Sequence, residues 1–189
     1  MAPPKQDTAR EKIIEAAGAV AVRDGARHLT LDAAAREAGV SKGGVLYHFP
    51  NKRALLDAML LRFQEGVEAD VAKQRRALAG RPNRTLRAIN AALRDRLGPA
   101  GDVRICLIAG AIEEPGLLAP VRRMFDAHQA AIRSETSDPA GAMAIWAAIE
   151  GLQYMSLFDI CPGLRRDSAA IADRIDAMID RLPAAEDTA

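Results

Sequence analysis

The chain has 189 residues, with 26 Lys and Arg against 25 Asp and Glu and a net charge of +1. Hydrophobic residues make up 49% of it, which is enough for a sizeable core in one large domain or two small ones. No apolar run is long enough to span a bilayer, and no apolar signal segment is seen, so we expect a cytoplasmic protein without a membrane partner. The two Cys and three His lack metal-ligand or redox-motif spacing, so we expect neither a metal nor a cofactor.

The first predicted helix has a start signal and a stop signal. Thr8 and Glu11 have the spacing of a capping box, in which the side chains at both positions accept backbone N–H groups. Apolar residues then recur at helical spacing as far as Gly25, which is typical of a helix end. The sequence therefore predicts a helix from about Thr8 to Gly25.

Two short helices separated by a tight turn follow. Thr30 is a good N-cap for the second helix, whose small apolar face consists of alanines, and Gly39 suits the left-handed turn residue. Ser41 caps a third helix, which Pro50 stops. The third helix is too short and too polar to form core alone. This arrangement is what a helix-turn-helix requires, where one helix braces across the phosphate backbone and the next lies in the major groove.

The rest of the chain is also predicted to be helical. Asn51 caps a fourth amphipathic helix that runs to Gly80. Apolar residues recur at helical spacing in five further segments, at 86–97, 103–112, 117–132, 140–159 and 171–182. No segment alternates with a strand period, so the predicted fold is all-α, with about nine helices.

The third helix carries residue types that suit contact with DNA. Gly43 and Gly44 are poor helix formers, costing roughly 1 kcal/mol each relative to Ala, which makes sense where the backbone must approach a phosphate or a base edge closely. Tyr47 and His48 can donate to phosphates or contact thymine methyl groups. Taken singly, each residue also suits a plain turn or a solvated surface, so it is their order that favours DNA binding. Two lysines that can neutralise phosphates complete the set: Lys42 and Lys52.

This segment resembles the TetR family of transcriptional repressors from Thr8 to about Leu60. The matching residues are Thr30, Ala34, Ala35, Ala38, Gly39, Val40, Ser41, Leu46, Tyr47, His48, Phe49, Lys52 and Leu55. The resemblance implies a helix-turn-helix DNA-binding domain at residues 1–52 and a larger helical domain at 53–189 that binds a small ligand and dimerises.

The resemblance also implies residue roles. Phosphate contacts are implied for Thr30, Tyr47, His48 and Lys52, and groove contacts for Lys42, Gly43 and Gly44. Phe49 looks like the packing aromatic of the family, so we expect it in the core. The stretch Ser41–Pro50 is similar to a subgroup that includes regulators of multidrug efflux genes. Double-stranded operator DNA and a small-molecule effector are the partners that follow.

The segment 140–159 is apolar nearly all round. A helix without a polar face is buried on all sides. In a domain of this size we expect its own core on one side and a second subunit on the other, so that the last two helices form a homodimer contact with their symmetry mates. The alternative is a central core helix in a monomer.

A ligand site is predicted from apolar and aromatic residues around one carboxylate. Glu150 shares a helical stripe with Trp146 and Tyr154, and could act as counter-ion for a cationic aromatic ligand held by cation–π contacts. A structural ion pair or an interface hydrogen bond is the alternative for Glu150. Flexible apolar side chains could line the remaining pocket, although such residues at helical spacing are more often ordinary core: Met59, Phe63, Met124 and Phe125.

Three other classes of function remain to be weighed. The serines have no nucleophile elbow or paired His and no carboxylate pair is placed for catalysis, so we expect no enzyme and no catalytic residue. A thiol-based redox response through Cys106 or Cys161 is an alternative, although neither lies in a Cys-rich motif. The other is a helix-turn-helix module that binds only protein.

Overall fold

The computed structural model describes residues 5–96, 104, 107–108, 110–111, 115–158 and 160–185. Nine α-helices have both ends within these ranges and are numbered here in chain order: α1 Lys5–Asp24, α2 Leu31–Ala38, α3 Lys42–His48, α4 Lys52–Ala77, α5 Arg84–Arg96, α6 Ala119–Ser134, α7 Pro139–Leu157, α8 Pro162–Arg166 and α9 Ser168–Ile179. Short 3₁₀ helices lie at Ala26–His28 and Pro115–Leu118. Within the described ranges, extended pairing is limited to an isolated bridge between Thr136 and Ala184. The all-α prediction is confirmed.

The chain divides into two compact units, and the division falls within α4. The first unit comprises Met1–Phe63 with Gly101–Pro120, and the second unit comprises Gln64–Ala100 with Val121–Ala189. Each unit contains its own buried apolar residues. Among the described helices, none is both long and apolar enough to cross a membrane.

The predicted caps of α2 and α3 are confirmed. The Thr30 hydroxyl accepts the backbone N–H of Ala33 at 3.0 Å, and the Ser41 hydroxyl accepts that of Gly44 at 3.1 Å. Between the two helices, Gly39 has φ +66° and ψ +32°, the left-handed conformation that glycine adopts at no steric cost. These contacts satisfy backbone groups that a helix end leaves without partners, so the local sequence defines the turn.

The ends of α1 and α4 are partly as predicted. Gly25 follows the last residue of α1 with φ +87°, and the Asn51 side chain accepts the backbone N–H of Ala54 at 2.8 Å at the start of α4. The capping box at Thr8 is wrong, because α1 begins three residues earlier at Lys5 and encloses Thr8. Lys and Gln at positions 5 and 6 are better helix formers than Thr, and their propensity extends the helix.

The far end of α4 and two later segments also differ from prediction. The sequence predicted that α4 runs to Gly80, but the helix ends at Ala77 and residues 78–80 form a turn. Gly80 has φ +79°, a left-handed conformation that is found past the end of a helix and not inside it. The five-residue helix α8 was not predicted, since one turn and a half shows no periodicity. Leu97 and much of the predicted helix 103–112 lie outside the described residues, and Arg104, Leu107, Ile108, Gly110 and Ala111 are helical.

An ion-pair cluster joins α1 to α4 in the first unit. The Arg62 guanidinium contacts the Glu11 carboxylate at 2.8 Å and the Glu15 carboxylate at 2.7 Å. All three side chains are substantially exposed. Such pairs contribute little to the free energy of unfolding, roughly 0–1 kcal/mol, so α1 is held mainly by its buried apolar face.

A row of polar contacts joins α5 to α9 in the second unit. The buried Arg87 guanidinium contacts the Asp180 carboxylate at 2.7 Å, and the fully buried Asn90 amide donates to Asp176 at 2.8 Å. Arg94 contacts the same Asp176 at 2.7 Å. Because buried polar groups need these partners, the row specifies the register in which α9 packs on α5.

Candidate nucleic-acid interface

The predicted DNA-contact residues all lie in the first unit, and none of them is buried: Thr30 caps α2, five of them lie on α3, and Lys52 begins α4. Tyr47 is the most open of them, with 72% of its surface exposed. Thr30, Lys42 and Gly43 are also exposed, whereas Gly44, His48 and Lys52 are half-exposed. This set of side chains is therefore available to a partner, and none of it is needed to fill the core.

The two glycines of α3 are not required by the packing of the protein. A Cβ built at Gly43 would meet only the Ser41 hydroxyl at 3.9 Å. At Gly44 it would meet the same hydroxyl at 3.4 Å and the Val40 Cβ at 3.8 Å, which are ordinary contact distances. Neither glycine has a positive φ. Among the described residues, no close neighbour of the two glycines accounts for their cost in helix propensity.

The aromatic residues of α3 divide between surface and core. The rings of Tyr47 and His48 meet edge to face with 5.0 Å between centroids. Phe49 is buried, as expected, and the Arg10 guanidinium lies 5.5 Å from its ring centroid, within cation–π range. The buried Phe49 therefore anchors the end of α3, while Tyr47 stays open to solvent.

A shallow groove in the first unit contains Thr30 and residues that sequence reasoning missed. Its lining also includes Asp24, Arg27, His28, Ala33 and Arg36. A hydrogen bond from Arg23 holds the pKa of Asp24 below its ordinary value, so Asp24 is charged and engaged. Arg27 and Arg36 lie on the two sides of Thr30 in sequence, and this flanking was the available signal. They add positive charge beside the cap of α2.

Lys42 has a partner that the sequence did not indicate. Its Nζ lies 3.1 Å from Oδ1 and 3.2 Å from Oδ2 of Asp32. Asp32 is the second residue of α2 and Lys42 is the first of α3, so the pair connects the beginnings of the two helices. Both side chains are more than half exposed, at 52% and 63%.

The predicted ligand residues are distributed over both units. Met59 and Phe63 belong to the first unit, where Met59 is buried and Phe63 half-buried. The remaining five belong to the second unit: Met124, Phe125, Trp146, Glu150 and Tyr154. Of these five, the structure brings two ring systems together, with Phe125 and Trp146 edge to face at 5.3 Å between centroids.

Trp146 is buried in the core of the second unit, and its indole Nε1 has no hydrogen-bond partner among the described residues. A buried N–H without an acceptor is costly, and such groups are uncommon in native proteins. Trp146 is also the single tryptophan of the chain. An acceptor brought by another molecule would satisfy this donor.

Glu150 and Tyr154 of α7 are not fully buried in the single chain. Glu150 is half-buried, and one of its carboxylate oxygens lies 3.5 Å from the Gln153 amide nitrogen. Tyr154, one turn further along α7, is exposed. The face of α7 that carries Tyr154 is not covered by the described residues of its own chain, and the role of Glu150 stays a prediction.

The sequence also did not indicate a contact between the buried His128 and Glu68 in the second unit. His128 of α6 is buried, and its Nε2 lies 3.0 Å from a carboxylate oxygen of Glu68 on α4. Burial lowers the pKa of His128 below 6.5, although the Glu68 carboxylate opposes this and the charge of Arg75 adds to it. The apolar stripe on which His128 lies indicated its burial, but the Glu68 partner could not be deduced from spacing.

The end of α7 exposes large apolar side chains. Tyr154, Met155 and Phe158 are exposed there, Ile160 follows them with most of its surface open, and Met178 of α9 is exposed as well. The opposite side of α7 is buried in the core of the second unit. Among the described residues this helix is thus covered on one side, and its contact with a second subunit stays a prediction.

The remaining candidates are the two cysteines and the possible metal ligands. Cys161 is a free, exposed thiol, and Cys106 lies outside the described residues. Among the residues that the structure describes, no three His, Cys, Asp or Glu side chains are grouped as metal ligands would be.

Comparison with known proteins identifies the family. Residues 13–59 match the profile described as "Bacterial regulatory proteins, tetR family", and residues 83–180 match "Tetracyclin repressor-like, C-terminal domain". Two HTH-type transcriptional regulators of Pseudomonas putida, SrpR and TtgW, are each 44% identical over 61 residues, or 32% of this chain. Those matches span 29% of SrpR and 46% of TtgW, less than half of either relative.

Solved structures extend the similarity over the whole fold. The crystal structure of the multidrug-binding protein EbrR complexed with malachite green superposes with a TM-score of 0.67 at 26% identity, covering 92% of this chain and 98% of that one. A TetR-family member from Streptomyces coelicolor A3 has a TM-score of 0.66 at 26% identity, covering 91% and 98%. The chain therefore belongs to the TetR family of bacterial transcriptional regulators.

Proposed function

We propose that this chain is a repressor that binds a near-palindromic operator as a homodimer and leaves it when a small, largely apolar or aromatic ligand binds. The observation that supports this most strongly is the pair α2 and α3, with both caps formed, a left-handed glycine between them and an open polar face. A short exposed helix held in this way has the form that a recognition helix needs to enter a major groove, which supports the proposal.

In this proposal residues 1–52 form the DNA-binding domain. Thr30, Tyr47, His48 and Lys52 contact phosphates and so position the protein without reading sequence. Lys42 reads a base edge, and Gly43 and Gly44 allow the backbone of α3 to come close to the groove. The support is their exposure together with the free space around both glycines.

The homodimer forms through α7 and α9. Its support is the exposed apolar side chains at the end of α7 and on α9, which a second copy would remove from water. A two-fold interface repeats the same patch on both subunits, so the two α3 helices would enter successive major grooves about 34–36 Å apart.

The test is selection of bound sequences from random duplexes, followed by footprinting and sedimentation of the free protein. We expect a protected near-palindrome with one half-site per subunit, a dimer at micromolar concentration, and an affinity that falls with salt. A monomer without a protected palindrome would contradict the proposal. The absence of salt-dependent binding to any duplex would instead favour a helix-turn-helix that binds only protein.

The effector site lies in the second unit, within the domain 53–189, and we assign to it the residues Met124, Phe125, Trp146, Glu150 and Tyr154. Met59 and Phe63 belong to the first unit and stay predictions from the sequence. Support comes from the edge-to-face pair of Phe125 and Trp146, whose buried indole N–H lacks an acceptor among the described residues. EbrR, a relative of similar fold, has been crystallised with malachite green, an aromatic cation. We therefore propose a lipophilic aromatic effector, with Glu150 as counter-ion if it is cationic.

Calorimetric titration with malachite green and its uncharged leuco form tests the charge assignment. If Glu150 faces a cation, Glu150→Gln should lower the affinity for the cationic dye by about tenfold and leave the affinity for the leuco form unchanged. The matched control is Asp126→Asn, which removes one exposed carboxylate from α6. Equal effects of both variants on the cation would remove Glu150 from the site and leave it a structural residue.

Induction requires that ligand and DNA binding be coupled, and α4 is the element that can connect them. It is continuous from Lys52 to Ala77 and contributes residues to both units. Coupling free energies of this kind are about 1–3 kcal/mol and must be reciprocal. Saturating operator DNA should therefore lower the affinity of the protein for the dye, and saturating dye should lower its affinity for the operator by the same factor. Paired titrations measure both factors directly.

A further inference from the structure

The pair formed by Asp32 and Lys42 is an unusual feature for the face proposed to bind DNA. A carboxylate near the phosphate backbone repels it, and here it also neutralises the charge of the first residue of α3. Exposed ion pairs add little to folding stability, so the pair is not explained as a fold-stabilising contact. Asp32 in the first turn of α2 does complement the helix dipole, but that role does not require Lys42.

The geometry of the pair leaves part of Lys42 free. An ammonium group has three N–H donors, and the two Asp32 oxygens at 3.1 and 3.2 Å accept two of them at most. A third donor is therefore available to an outside acceptor while the contact with Asp32 is kept.

The two kinds of DNA contact make different demands on such a lysine. A phosphate attracts it by charge alone, and this attraction is weakened as long as Asp32 neutralises that charge. A base acceptor such as guanine O6 or N7 requires one donor in a defined direction, which a lysine held by Asp32 can supply. The pair thus favours base reading over non-specific attraction.

We propose that Asp32 is a positioning residue for sequence discrimination, acting through Lys42. It holds Lys42 in an orientation suited to a base edge and prevents it from serving as a general phosphate contact. This inference rests on the proposed operator binding, and it assigns Asp32 the function of raising the ratio of operator affinity to non-specific affinity.

The test is a double-mutant cycle of wild type, Asp32→Asn, Lys42→Met and the variant carrying both changes. Each protein is titrated by fluorescence anisotropy, at several salt concentrations, with the selected operator and with a scrambled duplex of the same composition. Glu15→Gln is the matched control, because it removes one exposed carboxylate from a cross-helix ion pair of the same unit. Thermal unfolding of every variant establishes that the fold is retained.

We expect Asp32→Asn to tighten binding to the scrambled duplex by about fivefold and to steepen its salt dependence by about one unit of slope, as one more lysine contacts phosphate. Operator affinity should change less, so that the discrimination ratio falls. In the Lys42→Met background the same change should alter the ratio less than about twofold. Glu15→Gln should leave slope and ratio unchanged.

Two outcomes overturn the inference. An unchanged ratio and slope in Asp32→Asn would show that Asp32 takes no part in discrimination. An equal effect of Asp32→Asn with and without Lys42 would show that the carboxylate acts on DNA directly. Failure of the wild-type protein to prefer any duplex is a separate result, since it would overturn the proposed function itself.

Discussion

The exposed side of α3 and the exposed side of α7 differ in nearly every property that decides what binds a surface. Around α3 the open groups are mostly polar and include Lys42, Ser41, the Tyr47 phenol and Gly43, with Leu46 as an exposed apolar side chain among them. The starts of α2 and α3 each have a side-chain cap. At the end of α7 the open groups are large apolar side chains at Tyr154, Met155 and Phe158. The first surface suits a hydrated, charged partner, and the second suits an apolar partner surface that excludes water.

The difference also shows what each surface costs the protein. In the proposed function, the glycines of α3 give up helix propensity for close approach to DNA, since an added Cβ at either position would meet only ordinary contacts. The apolar groups of α7 keep helix propensity but leave hydrophobic area in water, which is unfavourable until a partner covers it. Filling a glycine of α3 should therefore raise stability while weakening operator binding, whereas placing a charge on the α7 surface should weaken the dimer.

The largest effect is expected for a charge placed on the α7 surface. Met155→Glu would put a carboxylate in a dry interface, costing about 3 kcal/mol and weakening the dimer by roughly 100-fold or more. Operator binding should fall with it. Leu61→Glu is the matched control, because Leu61 on α4 is 49% exposed against 45% for Met155. Sedimentation that shows both variants equally dimeric would remove α7 from the interface.

The next effect separates stability from binding on α3. Gly43→Ala should raise the free energy of unfolding by about 0.5–1 kcal/mol, because space exists for the methyl group, while weakening operator binding. Gly44→Val should weaken operator binding further without unfolding the protein. Gly66→Ala, on α4 with nothing near its added Cβ, should give the stability gain alone. Normal operator binding by Gly44→Val would refute the close-approach argument.

A smaller effect is expected from one phosphate contact. Lys52→Ala should weaken binding to operator and scrambled duplex alike and reduce the salt slope by about one unit. The control is Lys73→Ala, which removes an exposed lysine from the second unit. A change in the discrimination ratio, rather than in the slope, would show that Lys52 reads bases.

The smallest effect concerns pH and the buried His128. Because its folded-state pKa lies below 6.5, the folded protein binds fewer protons, and stability present above pH 6.5 is lost as the pH falls toward the folded value. One proton limits the slope to about 1.4 kcal/mol per pH unit. The free energy of unfolding, measured with urea at about pH 7.5, 6.5 and 5.5, should fall with pH in the wild type and in the control His28→Gln, which changes an exposed histidine. This contribution should be absent in His128→Gln. Identical pH profiles for all three would exclude His128 as the cause.

The sequence by itself determined the helical class and the turn between α2 and α3. These depend on local chemistry: the caps at Thr30 and Ser41 and the left-handed Gly39 act within three or four residues, and apolar periodicity acts within one helix. The capping box at Thr8 failed for the same reason, since local propensities competed there and the cap lost. The DNA-contact candidates could be listed because they cluster along one short segment.

Only the tertiary structure decided which residues became partners across helices. The contacts of Lys42 with Asp32, and of His128 with Glu68, join side chains on different helices, and neither periodicity nor capping rules constrain such pairs. The tertiary structure also decided that one face of α7 is left uncovered by the described residues, because apolar composition indicates burial without saying which molecule provides it. Packing between helices is a property of the whole chain, and it assigns partners that local sequence leaves open.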